Sequence, residues 1–158
     1  MVGRVTPEAI GRTVCDAYDH FASLPEERRD RAAWDALVER LHDQLVSPDP
    51  ARGVAGLLWV VGAERRFSYM NLAGEVLVRF RPPCSAPLDE LLPLVEGSFT
   101  SSAHKAAVWL RLSFGEAALL AALRARAAAW TPDNRRRVAS FLHALGLGLD
   151  ALEAPLAE

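Results

Sequence analysis

The chain has 158 residues, of which 51% are hydrophobic and 24% charged, and its net charge is −2. That length supports one domain with its own hydrophobic core, and a balance this close to neutral argues against a dedicated, strongly basic nucleic-acid binder. No apolar run approaches the ~20 residues that span a bilayer, and the N-terminal stretch MVGRVTPEAIGR has no apolar signal core, so a cytoplasmic protein is expected.

Thr6-Pro7-Glu8 is a helix start. The threonine hydroxyl can accept from the first free amides, proline suits the first helical position, and glutamate opposes the helix dipole. Ile10, Val14, Ala17, Tyr18 and Phe21 then share one face, which predicts a helix over 7–22. Pro25 opens a second helix, predicted over 25–46. Trp34, Leu37, Val38, Leu41 and Leu45 form its inner face, and charges of mixed sign face water. The two helices should pair as a hairpin.

Residues 47–81 are the most apolar part of the first hundred and decide the fold class. Ser47-Pro48-Asp49 repeats the start chemistry, and Val54, Leu57, Leu58 and Val61 recur at helical spacing, predicting a helix that ends at Gly62. Gly53, Gly56, Trp59, Val60 and Val61 lean towards strand. Residues 66–81 read two ways. As a helix, Ser68, Asn71, Glu75 and Arg79 make a polar stripe opposite Tyr69, Leu72, Ala73, Val76 and Phe80. As a hairpin, Val76, Val78 and Phe80 alternate with their neighbours across a turn near Asn71–Gly74.

Arg81-Pro82-Pro83 ends that element. Pro87 starts a short leucine-rich helix that Pro93 shortens or kinks. Thr100, Ser101 and Ser102 read as start residues for a helix through AHKAAVWLRL. Ser113-Phe114-Gly115-Glu116 has capping-box spacing and introduces an alanine-rich helix over about 115–130, expected at the centre of the core. Thr131-Pro132-Asp133 starts the last helix, with Val138, Phe141, Leu142 and Leu145 inside and Gly146 as its C-cap. Residues 147–158 are expected as a loosely packed tail.

SPDPARGVAGLLWVVG (47–62) and TPDNRRRVASFLHALG (131–146) match at proline, aspartate, arginine, valine, alanine, leucine and glycine. The second reads clearly as a helix, which favours a helix for the first. The pattern is similar to the first helix of a HEAT-like repeat over these two segments alone, and no third unit keeps the spacing. The expected fold is therefore mainly α: one compact domain over 1–158, of about seven or eight helices in stacked hairpins. The alternative is α+β, with a small antiparallel meander at 56–81 flanked by helices.

The chain carries no G-x-G-x-x-G, Walker loop, H-E-x-x-H, C-x-x-C or G-x-S-x-G, and no cofactor is expected. Asp16 and His20, at i and i+4, could join His42 and Asp43 across the first hairpin as metal ligands. They lie off the apolar face, however, and read better as surface polar residues. Cys15 and Cys84 read as packed thiols rather than a disulfide or a nucleophile, because no third group orients a Cys/His pair. Residues 101–145 hold seven basic side chains against two acidic ones, whereas the first hundred hold eleven against fifteen. All the basic residues but Lys105 are arginine, as a GC-rich bacterial gene would produce. Arg124, Arg126, Trp130, Arg135, Arg136 and Arg137 form the one charge cluster of note. The expected function is a non-enzymatic protein–protein interaction domain: an adaptor, a regulatory partner or a toxin- or effector-neutralising protein. The alternative is a nucleic-acid-associated regulator that uses the arginines at 124–137.

Overall fold

The computed structural model describes residues 5–63, 66–95 and 103–153, and every regular element among them is helical. The protein is mainly α, and the meander alternative at 56–81 is overturned.

Helix α1, Pro7–Ser23, begins as the sequence dictates: Thr6 Oγ1 accepts from the Ala9 N–H at 3.2 Å. The second helix is shorter than expected. Glu26–Arg28 forms a single 3-10 turn, and α2, Arg31–Leu41, starts at Asp30, whose carboxylate accepts from the Ala33 N–H at 2.8 Å. Proline at 25 can tolerate a helix start, but only Asp30 supplies an acceptor for a free amide. Beyond Leu41 the chain widens into a π-helical turn, His42–Val46.

Helix α3, Pro50–Ala63, is capped by Asp49, which accepts from the Arg52 N–H at 3.2 Å, so the cap falls two residues after Ser47. Gly62 does not end it and sits inside its last turn. Helix α4, Phe67–Phe80, settles the ambiguous stretch: Tyr69, Leu72, Ala73 and Val76 are buried on one face, and Phe80 is half-buried beside them. The polar stripe finds its partners only in a helix, where Arg79 reaches Glu75 one turn back at 2.7 Å.

Helix α5, Leu88–Val95, contains Pro93. Helix α6, His104–Phe114, follows, and the expected start at Thr100–Ser102 lies outside the described residues. The capping box at Ser113–Glu116 does not form. Ser113 belongs to the last turn of α6, and Gly115 opens α7, Glu116–Arg126, with no side-chain cap. Gly115 adopts φ 85, ψ 152, a conformation that glycine alone takes without strain. The chain bends there by 113°. Helix α7 is also not central: only Leu119 and Leu123 are buried, and Ala117 and Ala118 face water. Alanine favours a helix but exposes little apolar surface, so such a helix can lie at the edge of a core.

Helix α8, Pro132–His143, is capped by Thr131, which accepts from the Asn134 N–H at 3.2 Å. It closes on Gly146 as expected. Leu147 N–H reaches the Leu142 carbonyl and Gly146 N–H the His143 carbonyl, both at 2.9 Å, with Gly146 at φ 74. A 3-10 turn, Leu149–Leu152, then buries Leu152, and residues 154–158 lie outside the described residues.

The centre of the molecule is α3, which packs against α1, α4, α5 and the π turn. Its close neighbours are admitted by missing side chains. A Cβ at Gly53 would lie 2.7 Å from the Val46 Cα, and a Cβ at Gly62 would overlap the Leu94 carbonyl. Gly56 faces Ile10 of α1, and Gly11 of α1 faces Trp59. Each helix thus lends a gap to a large side chain of the other.

Gly62→Ala and Gly115→Ala should therefore destabilise for different reasons. The first forces α3 off α5 and should cost about 2–3 kcal/mol. The second meets nothing within 4 Å, and its cost, roughly 1–3 kcal/mol, is backbone strain alone. Thermal melting followed by circular dichroism measures both; a Gly62→Ala protein that melts like wild type would contradict this packing.

Candidate functional site

The sequence cluster at 124–137 lies where three pieces of chain meet: the end of α7 with its 3-10 turn Ala127–Ala129, the first turn of α8, and the turn Leu149–Leu152. Between them is a crevice of about 130 Å³ lined by Ala127, Trp130, Arg135, Leu149, Leu152 and Glu153. The cluster residues divide by role. Arg124 is structural: its Nε donates to the Leu152 carbonyl at 2.5 Å and its guanidinium to the Ala151 carbonyl at 3.1 Å. A cation there satisfies carbonyls left free at the end of a helical turn. Arg137 and Arg136 turn back to Asp133 on their own helix, at 2.9 and 3.6 Å. Arg126 is half-buried. Arg135 is exposed and forms no ion pair among the described residues.

Leu149 is 40% exposed and Trp130 half-buried, so the crevice has an aromatic and aliphatic floor open to solvent. Its rim carries both signs, Arg135 and Glu153. Of the residues singled out from sequence, Trp130 and Arg135 meet here. Leu149, Leu152, Ala127 and Glu153 were not singled out. Leu149, Leu152 and Glu153 belong to the stretch expected as a loosely packed tail and Ala127 to the alanine-rich helix, and the crevice exists because that tail docks on α7.

Elsewhere, charge serves the fold. Glu75 of α4 accepts from Lys105 of α6 and from Arg79, which also reaches Asp35 of α2 at 2.8 Å; Arg31 joins Asp35 at 3.1 Å. This chain of ion pairs ties α2, α4 and α6. Burial pushes the Glu75 carboxyl up, but hydrogen bonds from Lys105 and Arg79 more than offset it, so Glu75 titrates below its usual range. The hydrogen bond from Arg79 likewise holds Asp35 low, against partial burial and with help from Arg31. A second tie joins α1 to α4: the Tyr69 hydroxyl donates to Asp19 at 2.8 Å and accepts from Arg66 at 2.7 Å. The bond to Asp19 pushes the Tyr69 phenol up.

The sequence-level metal candidates do not converge. Asp16 and His20 are exposed on α1, whereas the His42 ring stacks on Phe80 with centroids 4.0 Å apart and Nδ1 3.1 Å from Asp43. Among the described residues no three His, Cys, Asp or Glu side chains group to hold a metal ion. Cys15 is buried and Cys84 half-buried, neither is in a disulfide, and burial pushes the Cys84 thiol up. A larger groove of about 340 Å³, beside Pro7, Ala55 and Leu91, is almost wholly apolar. No single described helix is long and apolar enough to cross a membrane.

Comparison with protein-family models, with curated proteins and with solved structures finds no match to this chain.

The Glu75 network carries a pH dependence. Carboxylates whose folded pKa is depressed stabilise the fold above their unfolded value, near 4, and lose that contribution as pH falls through the folded value. Glu75→Gln should cost about 1–2 kcal/mol at pH 7, and the gap from wild type should close below about pH 4. Urea unfolding of both proteins at neutral and acid pH reads this directly; a gap independent of pH would remove the charge from the explanation.

Proposed function

We propose that the chain is a bacterial cytoplasmic interaction domain without catalytic activity of its own, folded as a single compact unit of stacked helix hairpins. It acts as an adaptor, a regulatory partner or a neutraliser of a toxin or effector. The observation that carries this reading is the crevice at Trp130. A tryptophan beside an unpaired arginine, over an aliphatic floor, is the composition of energetically dominant contacts between proteins. Leu149 adds exposed apolar area, and Glu153 gives the rim a second charge by which a partner can be selected.

The nucleic-acid reading draws on the same residues, since Arg135 and Arg136 are exposed beside an aromatic ring. It is the weaker one. Arg124 is committed to carbonyl groups and Arg137 to Asp133, and Glu153 brings a negative charge, which repels phosphate, to the same crevice.

The test is co-purification from the cells that make the protein. Wild type should retain a protein in fixed stoichiometry. Trp130→Ala and Arg135→Glu should each weaken that complex by about 30-fold or more, the effect of a contact worth 2 kcal/mol; Arg135→Glu should hold the melting temperature, whereas Trp130→Ala also removes packing against the core and should lower it. A complex indifferent to both changes would move the interface elsewhere. Binding of short single-stranded DNA or RNA at low salt, falling steeply as salt rises, would favour the nucleic-acid reading instead.

A further inference from the structure

The groove of about 340 Å³ shares no residue with the Trp130 crevice. It lies over the start of α3, between the chain that enters α1 and one face of α5. Small side chains open it. Ala51 and Ala55 form its α3 wall, whereas Leu91 and Leu94 form its α5 wall. Each wall repeats at about one helical turn, four residues apart on α3 and three on α5. Helix α3 packs against α1, α4, α5 and the π turn, yet Ala51 and Ala55 stay half-buried here. Val5, at the border of the groove, is 49% exposed.

The charges sit at the rim. Arg52 and Glu90 are the two charged side chains among the lining residues. Arg52 is engaged: its guanidinium donates to the Val5 carbonyl at 3.4 Å and lies 3.7 Å from the Asp49 carboxylate. Glu90 is exposed and forms no ion pair among the described residues. Its position in the first turn of α5 suits the dipole of that helix, and its carboxylate is left to water. Asp49 offsets Arg52, so the charge that the rim offers to a partner is negative.

The interior selects the kind of occupant. Pockets for small molecules carry polar groups that fix the orientation of the ligand, whereas this interior is almost wholly apolar. Walls that repeat once per turn match a third helix, whose side chains a turn apart enter such a groove.

We propose that this groove docks an amphipathic helix of a partner protein, one that carries two aliphatic side chains a turn apart with a lysine or arginine beside them. The aliphatic pair lies on Ala51 and Ala55, against Leu91 and Leu94, and the cation meets Glu90. Apolar burial supplies the affinity, and the pair at the rim sets the register and rejects acidic helices.

The probe is a displayed library of helical peptides randomised on one face. It is selected against wild-type full-length protein and counter-selected against Ala55→Leu, which fills the groove. The enriched peptides should carry aliphatic residues a turn apart and a basic residue within the next turn. A synthetic peptide of that sequence should bind wild type at least about tenfold more tightly than Ala55→Leu, the loss of one buried aliphatic side chain. Glu90→Lys, a change at an exposed position, should weaken it about threefold, and exchanging the basic residue of the peptide for glutamate should restore binding to that variant. Should Ala55→Leu not fold, methyl spectra of wild type locate the contact, because the signals of Val5, Leu91 and Leu94 should shift on titration. No enrichment, enriched peptides without a basic residue, equal affinity for wild type and both variants, or unmoved methyl signals would overturn the proposal. Self-association of wild type that Glu90→Lys abolishes would replace the partner helix with a second copy of this chain. Dodecanoate that shifts the same methyl signals would replace it with an aliphatic chain, and peptide binding seen only after removal of residues 1–4 would replace it with that segment.

Discussion

The fold depends on how closely α3 can be approached. Helix axes packed through ordinary side chains lie about 8–10 Å apart. Gly53 and Gly62 instead bring backbone against backbone, at Val46 and at Leu94. The reciprocal pairs Gly11 with Trp59 and Gly56 with Ile10 lock α1 onto the same helix. Val54, Leu57, Leu58, Val60 and Val61 are then buried along one broad apolar face of α3, while Arg52 and Ala63 are exposed. No polar side chain on that face fixes its neighbours, so the positions of its glycines set which neighbour lies where.

Around this apolar centre the second layer is held by charge. Helix α4 presents its apolar face to α3 and its polar stripe to α2 and α6. Glu75 has two cationic partners and little exposure, so its carboxylate is desolvated but fully paired. Such a pair contributes geometry more than net stability, since an apolar replacement would avoid the desolvation cost. Tyr69 performs the matching task on the other side, where one hydroxyl joins Asp19 of α1 to Arg66 at the start of α4.

Local chemistry was legible where it is self-contained. Thr6 and Thr131 cap the helices they precede, and Gly146 closes α8, because each motif satisfies backbone groups within a few residues. Three other readings failed through competition. Pro25 lost to Asp30, and Ser47 to Asp49, because an aspartate nearer the apolar face supplied the acceptor. The Ser113–Glu116 box lost to Gly115, whose φ of 85 turns the chain before a box can form. Gly53, Gly56 and Gly62 were misleading for a related reason. A glycine lowers helix propensity, but propensity is silent about a neighbour that needs the space, and here that need prevails.

The Trp130 crevice shows the same limit in a functional setting. Composition marked Arg124, Arg126, Trp130 and Arg135–Arg137 as one basic cluster, yet the side chains share no common task. Arg124 is nearly thirty residues away in sequence from the Leu152 carbonyl it holds. That contact fixes the tail against α7 and so creates the floor of Leu149 and Leu152 beneath Trp130. Arg124, counted with the rest of the cluster, is the one that builds the crevice, and Arg135, a neighbour in sequence to two ion-paired arginines, is exposed with no ion pair among the described residues. Charge clusters in a sequence count cations without saying which of them the fold has already engaged. The crevice is defined by that division: an aromatic and aliphatic floor assembled by one arginine, with another exposed at its rim.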